Sequence, residues 1–188
     1  DVVAARLYIC GLGLYEAALN GEKIGDEYLT PYCNNYNSWL QYQTYDITAA
    51  LQKGGDLQVT LGNGWYNQRD RTVEGCMWYD TPRLLCQLEI EYTDGSTELV
   101  VTDDSWKTTT GPLLHDAIFT GEEYDARLEL DGWNRNGYKD SSWKKALLVR
   151  APKGSLHAQL APHEKIIRIL QPVSCEQKDD STYWYAFP

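Results

Sequence analysis

The segment 120–127 contains the residues whose types and spacing come nearest to catalytic chemistry. Two carboxylates about 5–9.5 Å apart can hydrolyse a glycosidic bond, and Glu122, Glu123 and Asp125 could supply such a pair. In a strand, Glu123, Asp125 and Arg127 would share one face, because side chains alternate between the two faces. The arginine favours ionised carboxylates, whereas a general acid needs a raised pKa. We therefore favour a structural ion pair here over a catalytic pair.

Other catalytic motifs do not occur in the sequence. It has no Gly-x-Ser-x-Gly and no phosphate-binding loop, and Gly11-Leu12-Gly13 lies outside any strand–helix–strand unit. The histidines lack the context of a catalytic base, and with the cysteines they lack the spacing of a zinc site. An odd number of cysteines without a Cys-x-x-Cys pair favours free thiols, and hence a reducing, cytoplasmic compartment. These residues are His115, His157, His163, Cys10, Cys33, Cys76, Cys86 and Cys175.

Two predicted loops place amide side chains beside aromatic rings. Asn34 and Asn35 precede Tyr36, and Asn63 lies in the Gly-Asn-Gly-Trp-Tyr segment at 62–66. Amide and backbone oxygens suit a hard cation such as calcium, and Trp and Tyr rings suit the faces of sugars. The alternative is that the asparagines form turns and that the rings belong to the core. Both interpretations stay open, but we favour a calcium site over a catalytic site in these loops.

The composition limits the classes of partner. The chain has 188 residues, a net charge of −10 and a pI of about 4.7. This length allows one domain, or one domain and the start of another. The charge argues against nucleic acid and against an anionic membrane surface, and no apolar run approaches the length of about 18 residues that a membrane span needs. Seven Trp and fourteen Tyr against two Phe favour half-buried strands and sugar contacts.

The dominant hydrophobic period is two, which is typical of strands. Asn20-Gly21 and Asp94-Gly95 lie between alternating runs and predict tight hairpins, because such turns need residues with positive φ. A short helical turn is predicted over 47–51. About ten short strands with turn signals between them favour an all-β sandwich or jelly roll. The predicted strands cover 6–10, 14–19, 22–24, 39–46, 57–61, 83–92, 97–102, 117–124, 145–150, 156–160 and 165–170.

The chain divides into one main unit and a short final segment. We expect residues 1–172 to form a β-sandwich domain, within which 67–82 is a loop long enough to be functional. Residues 173–188 end in the apolar run Tyr183-Trp184-Tyr185-Ala186-Phe187. We interpret this segment as the truncated start of a following β-domain.

An ordered set of short motifs runs through residues 5–172. They are Leu12-Gly13-Leu14-Tyr15-Glu16, Leu19-Asn20-Gly21, Ile24-Gly25-Asp26, Gln41-Tyr42-Gln43-Thr44-Tyr45-Asp46-Ile47-Thr48, Leu61-Gly62-Asn63-Gly64-Trp65-Tyr66, Gln87-Leu88-Glu89-Ile90-Glu91-Tyr92, Thr102-Asp103-Asp104-Ser105-Trp106-Lys107, Gly121-Glu122-Glu123-Tyr124-Asp125-Ala126-Arg127 and Asp140-Ser141-Ser142-Trp143. Their order and spacing resemble the N-terminal domain of bacterial α-L-rhamnosidases of glycoside hydrolase family 78. The resemblance implies a galactose-binding-domain-like jelly-roll β-sandwich. It also implies that an (α/α)6 barrel elsewhere in the enzyme hydrolyses terminal α-L-rhamnosides with inversion, so that this chain holds no catalytic residue.

The resemblance further implies a binding role. Some versions of the domain are similar to lectins that hold L-rhamnose through a calcium ion, which here implies Asn34, Asn35 and a backbone oxygen of Pro82 as ligands. No other cofactor is implied. The predicted partners are glycans or glycosides that contain L-rhamnose, and other domains of the same chain. The predicted carbohydrate-binding residues are Asn34, Asn35, Tyr36, Asn63, Trp65, Tyr66 and Trp78.

Two alternatives accompany this hypothesis. The first is a purely structural domain that docks on the catalytic barrel and stabilises it. The second, which we rank last, is an autonomous hydrolase built on Glu122, Glu123 and Asp125.

Overall fold

The computed structural model describes residues 1–68 and 77–188, which are mostly β-structure. Within these ranges the one α-helix, α1, spans only Thr48–Leu51, and no helix there is long and apolar enough to cross a membrane. A 3-10 helix, η1, spans Ala126–Leu128. The strands are β1 Val2–Leu12, β2 Leu14–Leu19, β3 Glu22–Lys23, β4 Glu27–Tyr28, β5 Trp39–Asp46, β6 Leu57–Gly62, β7 Asn67–Gln68, β8 Met77–Trp78, β9 Arg83–Tyr92, β10 Thr97–Val101, β11 Lys107–Thr108, β12 Leu113–Ala117, β13 Gly121–Tyr124, β14 Lys144–Lys145, β15 Ser155–Ala158, β16 Glu164–Lys165, β17 Ser174–Gln177 and β18 Tyr183–Ala186.

The larger sheet is built around β1. Its strand order is β10-β9-β1-β5-β15. β1 pairs antiparallel with β5, where Leu7 lies opposite Tyr45, and with β9, where Leu7 lies opposite Leu88. β15 adds to the sheet as a parallel neighbour of β5. Leu7 and Ile9 point to the same face and are fully buried, as alternation along a strand requires.

A smaller sheet, of order β3-β2-β6, packs against that buried face. Along β2, buried Tyr15 and Ala17 alternate with exposed Glu16. Full burial of a large apolar side chain contributes about 1.5–3 kcal/mol, so the core between the sheets holds the two layers together. The buried residues of this core are Ala5, Leu7, Ile9, Tyr15, Ala17, Leu19, Ile24, Ile47, Cys86, Leu88 and Ile90.

The predicted hairpins and helical turn are confirmed. Asn20 (φ 55°) and Gly21 (φ 84°) join β2 to β3, and Gly95 (φ 80°) lies in the turn between β9 and β10. At the start of α1, Asp46 Oδ1 accepts hydrogen bonds from the Thr48 hydroxyl at 2.6 Å and from the Thr48 backbone N–H at 3.0 Å. These bonds favour the ionised carboxylate and lower the pKa of Asp46.

Three strand predictions were wrong over three or more of their residues, which lie outside the observed strands. The predicted strand over 117–124 is part of a hairpin, in which β12 and β13 pair around a turn at 118–120. Gly121, with φ 87°, allows the chain to reverse there. The segments 145–150 and 165–170 show strand pairing only near their first residues. Apolar residues of these segments lie at the surface of the described structure, where Leu147 is 84% exposed and Ile167 is 96% exposed.

The two packed sheets agree with the predicted all-β sandwich, whereas jelly-roll connectivity stays a prediction. Residues 173–188 contain the hairpin of β17 and β18, and a domain boundary before them is also still a prediction. Cys76 lies outside the described residues; within the described ranges, Cys10, Cys86 and Cys175 form no disulfide. Burial raises the pKa of the Cys10 and Cys86 thiols to about 12, which makes them unreactive near neutral pH.

Candidate functional site

Three tyrosine rings fill the space between the predicted binding loops. Tyr36 precedes β5, Tyr66 follows β6, and Tyr79 follows β8. The Tyr36 ring centroid lies 5.0 Å from those of both Tyr66 and Tyr79, in edge-to-face contact. The Tyr66 and Tyr79 rings stack with their centroids 5.7 Å apart. Such contacts are favourable between aromatic rings, so this tyrosine cluster (Tyr36, Tyr66 and Tyr79) holds the loops together at one end of the domain.

Tyr36 and Tyr66 lie inside the domain rather than on its surface. Their exposed fractions are 1% and 2%, and burial raises the pKa of both hydroxyls. The Tyr36 hydroxyl has no hydrogen-bond partner among the residues that the structure describes. The structure therefore gives both rings a packing role, and sugar contact by either of them stays a prediction.

Asn63 organises the turn that follows β6. Its carbonyl oxygen accepts hydrogen bonds from the backbone N–H of Tyr66 at 3.2 Å and of Asn67 at 3.1 Å. Its Oδ1 accepts from Asn67 Nδ2 at 2.6 Å. The Asn63 backbone N–H donates to Asp116 Oδ1 at 2.7 Å, and its Nδ2 donates to the Asp116 carbonyl oxygen at 3.0 Å. These bonds show a turn-forming asparagine, and ligand contact by its side chain stays a prediction.

Trp65 keeps a partly exposed ring at the same end of the domain. Its half-buried ring packs against the buried group of Cys10, Leu12, Tyr36, Leu40 and Tyr66 and meets the Phe119 ring edge to face at 5.6 Å. Phe119, in the turn between β12 and β13, is 51% exposed. Since Tyr36 and Tyr66 are in contact, their chain neighbours Asn35 and Trp65 lie at the same loop end. An exposed amide near partly exposed rings can bind the polar edge and the apolar face of a sugar.

The residues predicted to bind calcium offer a weak set of ligands. Asn34 is buried, and its Oδ1 accepts a hydrogen bond from Gln41 Nε2. Asn35 Oδ1 accepts from the Asn37 backbone N–H at 3.2 Å, and Pro82 is half-buried. This set contains no carboxylate, the group on which tight calcium binding depends. Across residues 1–68 and 77–188, no group of three His, Cys, Asp or Glu residues could hold a metal ion, so the residues present fit calcium poorly.

Trp78 belongs to β8, which pairs with β7 so that Trp78 lies opposite Asn67. This pairing places the β8 backbone beside the turn that carries Trp65. The side chain of Trp78 lies outside the described part of the structure, and its sugar contact stays a prediction.

The carboxylates considered for catalysis lie on an exposed segment. Asp125 Oδ1 and Oδ2 accept hydrogen bonds from Arg127 Nε at 2.8 Å and Nη2 at 2.5 Å. Arg127 thereby holds the pKa of the Asp125 carboxyl below its usual value, which is the opposite of what a general acid needs. Glu122 and Glu123 are exposed on β13. The predicted structural ion pair between Asp125 and Arg127 is confirmed.

Three residues at this end of the domain were not predicted: Tyr79, Asp116 and Phe119. Asp116 is an acid within the otherwise mainly apolar segment 112–119, and no local pattern there indicates a distant partner. A turn signal was present, because Gly121 follows Thr120 and glycine favours chain reversal. This signal indicates a reversal near 118–121, which is where the structure has the turn that carries Phe119.

The fold and the loop end define a β-sandwich domain with aromatic rings, some of them partly exposed, at one end. Residues 1–168 match the family model described as the α-L-rhamnosidase N-terminal domain. The chain is 36% identical over 189 residues to an α-L-rhamnosidase of Formosa agariphila, a match that covers 97% of this chain and 20% of the relative. It is 38% identical over 160 residues to an α-L-rhamnosidase of Streptomyces avermitilis, which covers 85% of this chain and 15% of that relative.

Solved structures show the same relationship. The α-L-rhamnosidase from Dictyoglumus thermophilum matches with a TM-score of 0.86 and 38% identity, over 98% of this chain and 20% of its own. The Streptomyces avermitilis α-L-rhamnosidase complexed with L-rhamnose matches with a TM-score of 0.84 and 32% identity, over 97% of this chain and 18% of its own. The chain therefore belongs to the α-L-rhamnosidase N-terminal domain family, as the sequence motifs predicted. It spans 15–20% of the length of these relatives.

Proposed function

We propose that this chain is a non-catalytic accessory domain of an α-L-rhamnosidase. It binds L-rhamnose-containing glycosides weakly at its aromatic loop end, or it shapes the substrate groove of the enzyme. Hydrolysis of terminal α-L-rhamnosides, with inversion, belongs to other domains of that enzyme in this proposal. The jelly-roll connectivity of the galactose-binding type is part of the same proposal.

The observation that carries the binding proposal is the pair of partly exposed rings, Trp65 and Phe119, at the loop end that also holds Asn35. Rhamnose is a neutral 6-deoxy sugar, so it offers an apolar face and a methyl group to aromatic rings and hydroxyl groups to an amide. The net charge of −10 is no obstacle to a neutral ligand. One structural relative was solved in complex with L-rhamnose, which supports the choice of ligand.

Titration of the chain with L-rhamnose tests this proposal. We expect a dissociation constant of about 1 mM by calorimetry, or by chemical-shift changes at the Trp65 indole. Trp65→Ala should weaken binding about tenfold, since it removes the central ring of the surface. Because the ligand set is neutral, chelating calcium should change the dissociation constant by less than about twofold.

The matched control is Trp184→Ala, which removes a 62% exposed tryptophan from β18, outside the proposed surface. It should leave rhamnose binding unchanged. The absence of both heat and chemical-shift change with the wild-type chain would exclude the binding proposal.

A second candidate function, the structural domain, is favoured by a different observation. Many large apolar side chains beyond residue 146 are exposed, and exposed apolar surface of this extent indicates an interface. The outer face of the larger sheet adds a cleft of about 240 Å³ lined by Leu85, Val101 and Leu156. In this proposal, the rest of the enzyme covers these surfaces. The exposed residues are Leu147, Leu148, Val149, Leu156, Leu160, Ile166, Ile167, Ile169, Leu170, Val173, Tyr183, Trp184, Tyr185 and Phe187.

Ile167→Asp is expected to affect the stability of the isolated chain and of the full-length enzyme differently. Ile167 is 96% exposed in this chain, so the substitution should leave its melting temperature unchanged. In the full-length enzyme the new carboxylate would be buried, and we expect a loss of about 2 kcal/mol or more in unfolding free energy. The control is Lys53→Asp, at an exposed position two residues after the end of α1. Docking through this segment is ruled out if Ile167→Asp has no effect on either form.

A further inference from the structure

Contacts from the β12–β13 hairpin fix the conformation of the turn around Trp65. We propose that Asp116 is the positioning residue that holds this turn, and that Phe119 of the same hairpin is the second aromatic ring of the rhamnoside-binding surface. The ligand part of this inference rests on the proposed sugar-binding function. The positioning part rests on contacts within the chain alone.

Asp116 holds Asn63 at two points. Its carboxylate accepts the Asn63 backbone N–H at 2.7 Å, and its carbonyl oxygen accepts Asn63 Nδ2 at 3.0 Å. A hydrogen bond to an ionised carboxylate is stronger than one between neutral groups. Two bonds to different parts of one residue fix both the backbone and the side chain of Asn63.

Asn63 in turn holds the residues around Trp65 through hydrogen bonds. The Asn63 carbonyl oxygen accepts the backbone N–H groups of the two residues that follow Trp65, which are Tyr66 and Asn67. The Asn63 side chain also holds Asn67 Nδ2 at 2.6 Å. Trp65 is therefore enclosed between residues whose positions depend on Asn63, and through it on Asp116.

Phe119 connects the same hairpin to the Trp65 ring directly. The two ring centroids lie 5.6 Å apart with their planes at 79°, a favourable edge-to-face contact. Within the described ranges, β12 and β13 pair only with each other, and the two hydrogen bonds between Asp116 and Asn63 join this hairpin to the Asn63 turn. With Phe119 at 51% and Ile118 at 37% exposure, the hairpin presents apolar groups beside Trp65. Such groups suit the methyl group and apolar face of a deoxy sugar rather than a charged ligand.

Amide exchange tests the positioning part without any sugar. In Asp116→Ala, we expect the Asn63 amide proton to exchange about tenfold faster than in the wild type and the Trp65 indole resonance to shift. Asp116→Asn keeps an acceptor oxygen, so it should restore exchange to within about threefold of the wild type. Unchanged exchange and an unchanged indole resonance in Asp116→Ala would overturn the proposal.

L-Rhamnose titration of the same variants tests the ligand part. We expect Asp116→Ala to weaken binding about tenfold, Asp116→Asn to bind nearly as the wild type does, and Phe119→Ala to weaken binding about fivefold. Leu99→Ala removes a side chain that is 59% exposed on β10 and should change nothing. Wild-type affinity in both Asp116→Ala and Phe119→Ala would overturn the ligand part. If the wild type binds no sugar, the proposed function and the ligand part fail together, and the exchange result still decides the positioning part.

Discussion

Gly13→Ala is expected to lower the melting temperature of the chain by about 8–16 °C, from a loss of about 4 kcal/mol in unfolding free energy. Gly13 has φ 105°, a backbone conformation that residues with a side chain rarely adopt. A Cβ there would also overlap the backbone carbonyl oxygen of Gly62. That oxygen cannot move freely, since Gly62 is paired with Leu14 between β6 and β2. Thermal melting followed by circular dichroism measures the effect.

Gly95→Ala is the matched control, because it shares the backbone strain but not the collision. Gly95 has φ 80°, and nothing lies within 4 Å of a Cβ built on it. The left-handed conformation alone costs about 1–2 kcal/mol, which corresponds to about 2–8 °C. Equal losses in the two variants would show that strain alone, and not the close approach to Gly62, makes Gly13 necessary.

Gly13 also lies close to a second glycine motif. The two segments that meet are Gly11-Leu12-Gly13 and Gly62-Asn63-Gly64. A Cβ on Gly64 would lie 2.8 Å from the Gly13 carbonyl carbon and 2.6 Å from Leu14 Cγ, too close for a side chain. The Gly-Asn-Gly turn therefore rests directly on the junction between β1 and β2. Gly64 precedes Trp65, so this close backbone approach joins the junction of the two sheets to the turn that carries the candidate site.

Local structure could be predicted from the sequence because its signals lie within a few residues. The Asn20-Gly21 pair placed both turn residues at positive φ, and the alternation over 39–46 gave β5 its observed bounds. The ion pair between Asp125 and Arg127 joins residues two positions apart. In each of these cases, the sequence signal that indicates the structure is contained in the segment itself.

The candidate site could not be predicted in the same way, because distant segments build it. Asp116 lies 53 positions from its partner Asn63, and no pattern near either residue indicates the other. Composition also cannot tell which rings face water. Trp65 and Tyr66 are neighbours in one turn, yet Trp65 is half-buried and Tyr66 is almost fully buried. That difference depends on Tyr36 and Tyr79, which reach the turn from other loops.

Tyr36→Ala is expected to lower the unfolding free energy by about 3–5 kcal/mol, as removal of a fully buried aromatic ring generally does. Tyr36 is 1% exposed and contacts both Tyr66 and Tyr79, so its loss leaves a cavity where the loops meet. We also expect the variant to lose L-rhamnose binding at temperatures where it is still folded, since the turn around Trp65 loses its support. Chemical denaturation and sugar titration measure the two effects.

Tyr36→Phe distinguishes the ring from its hydroxyl. The hydroxyl is buried without a hydrogen-bond partner among the described residues, and burying such a group is unfavourable. Phenylalanine keeps the ring contacts, so the unfolding free energy should stay the same or rise by about 1 kcal/mol. Tyr183→Ala, at a 50% exposed position on β18, should change it by less than about 0.5 kcal/mol. If Tyr36→Phe destabilised the chain as much as Tyr36→Ala does, a hydrogen bond of the hydroxyl, and not the packing of three rings, would hold the loops together.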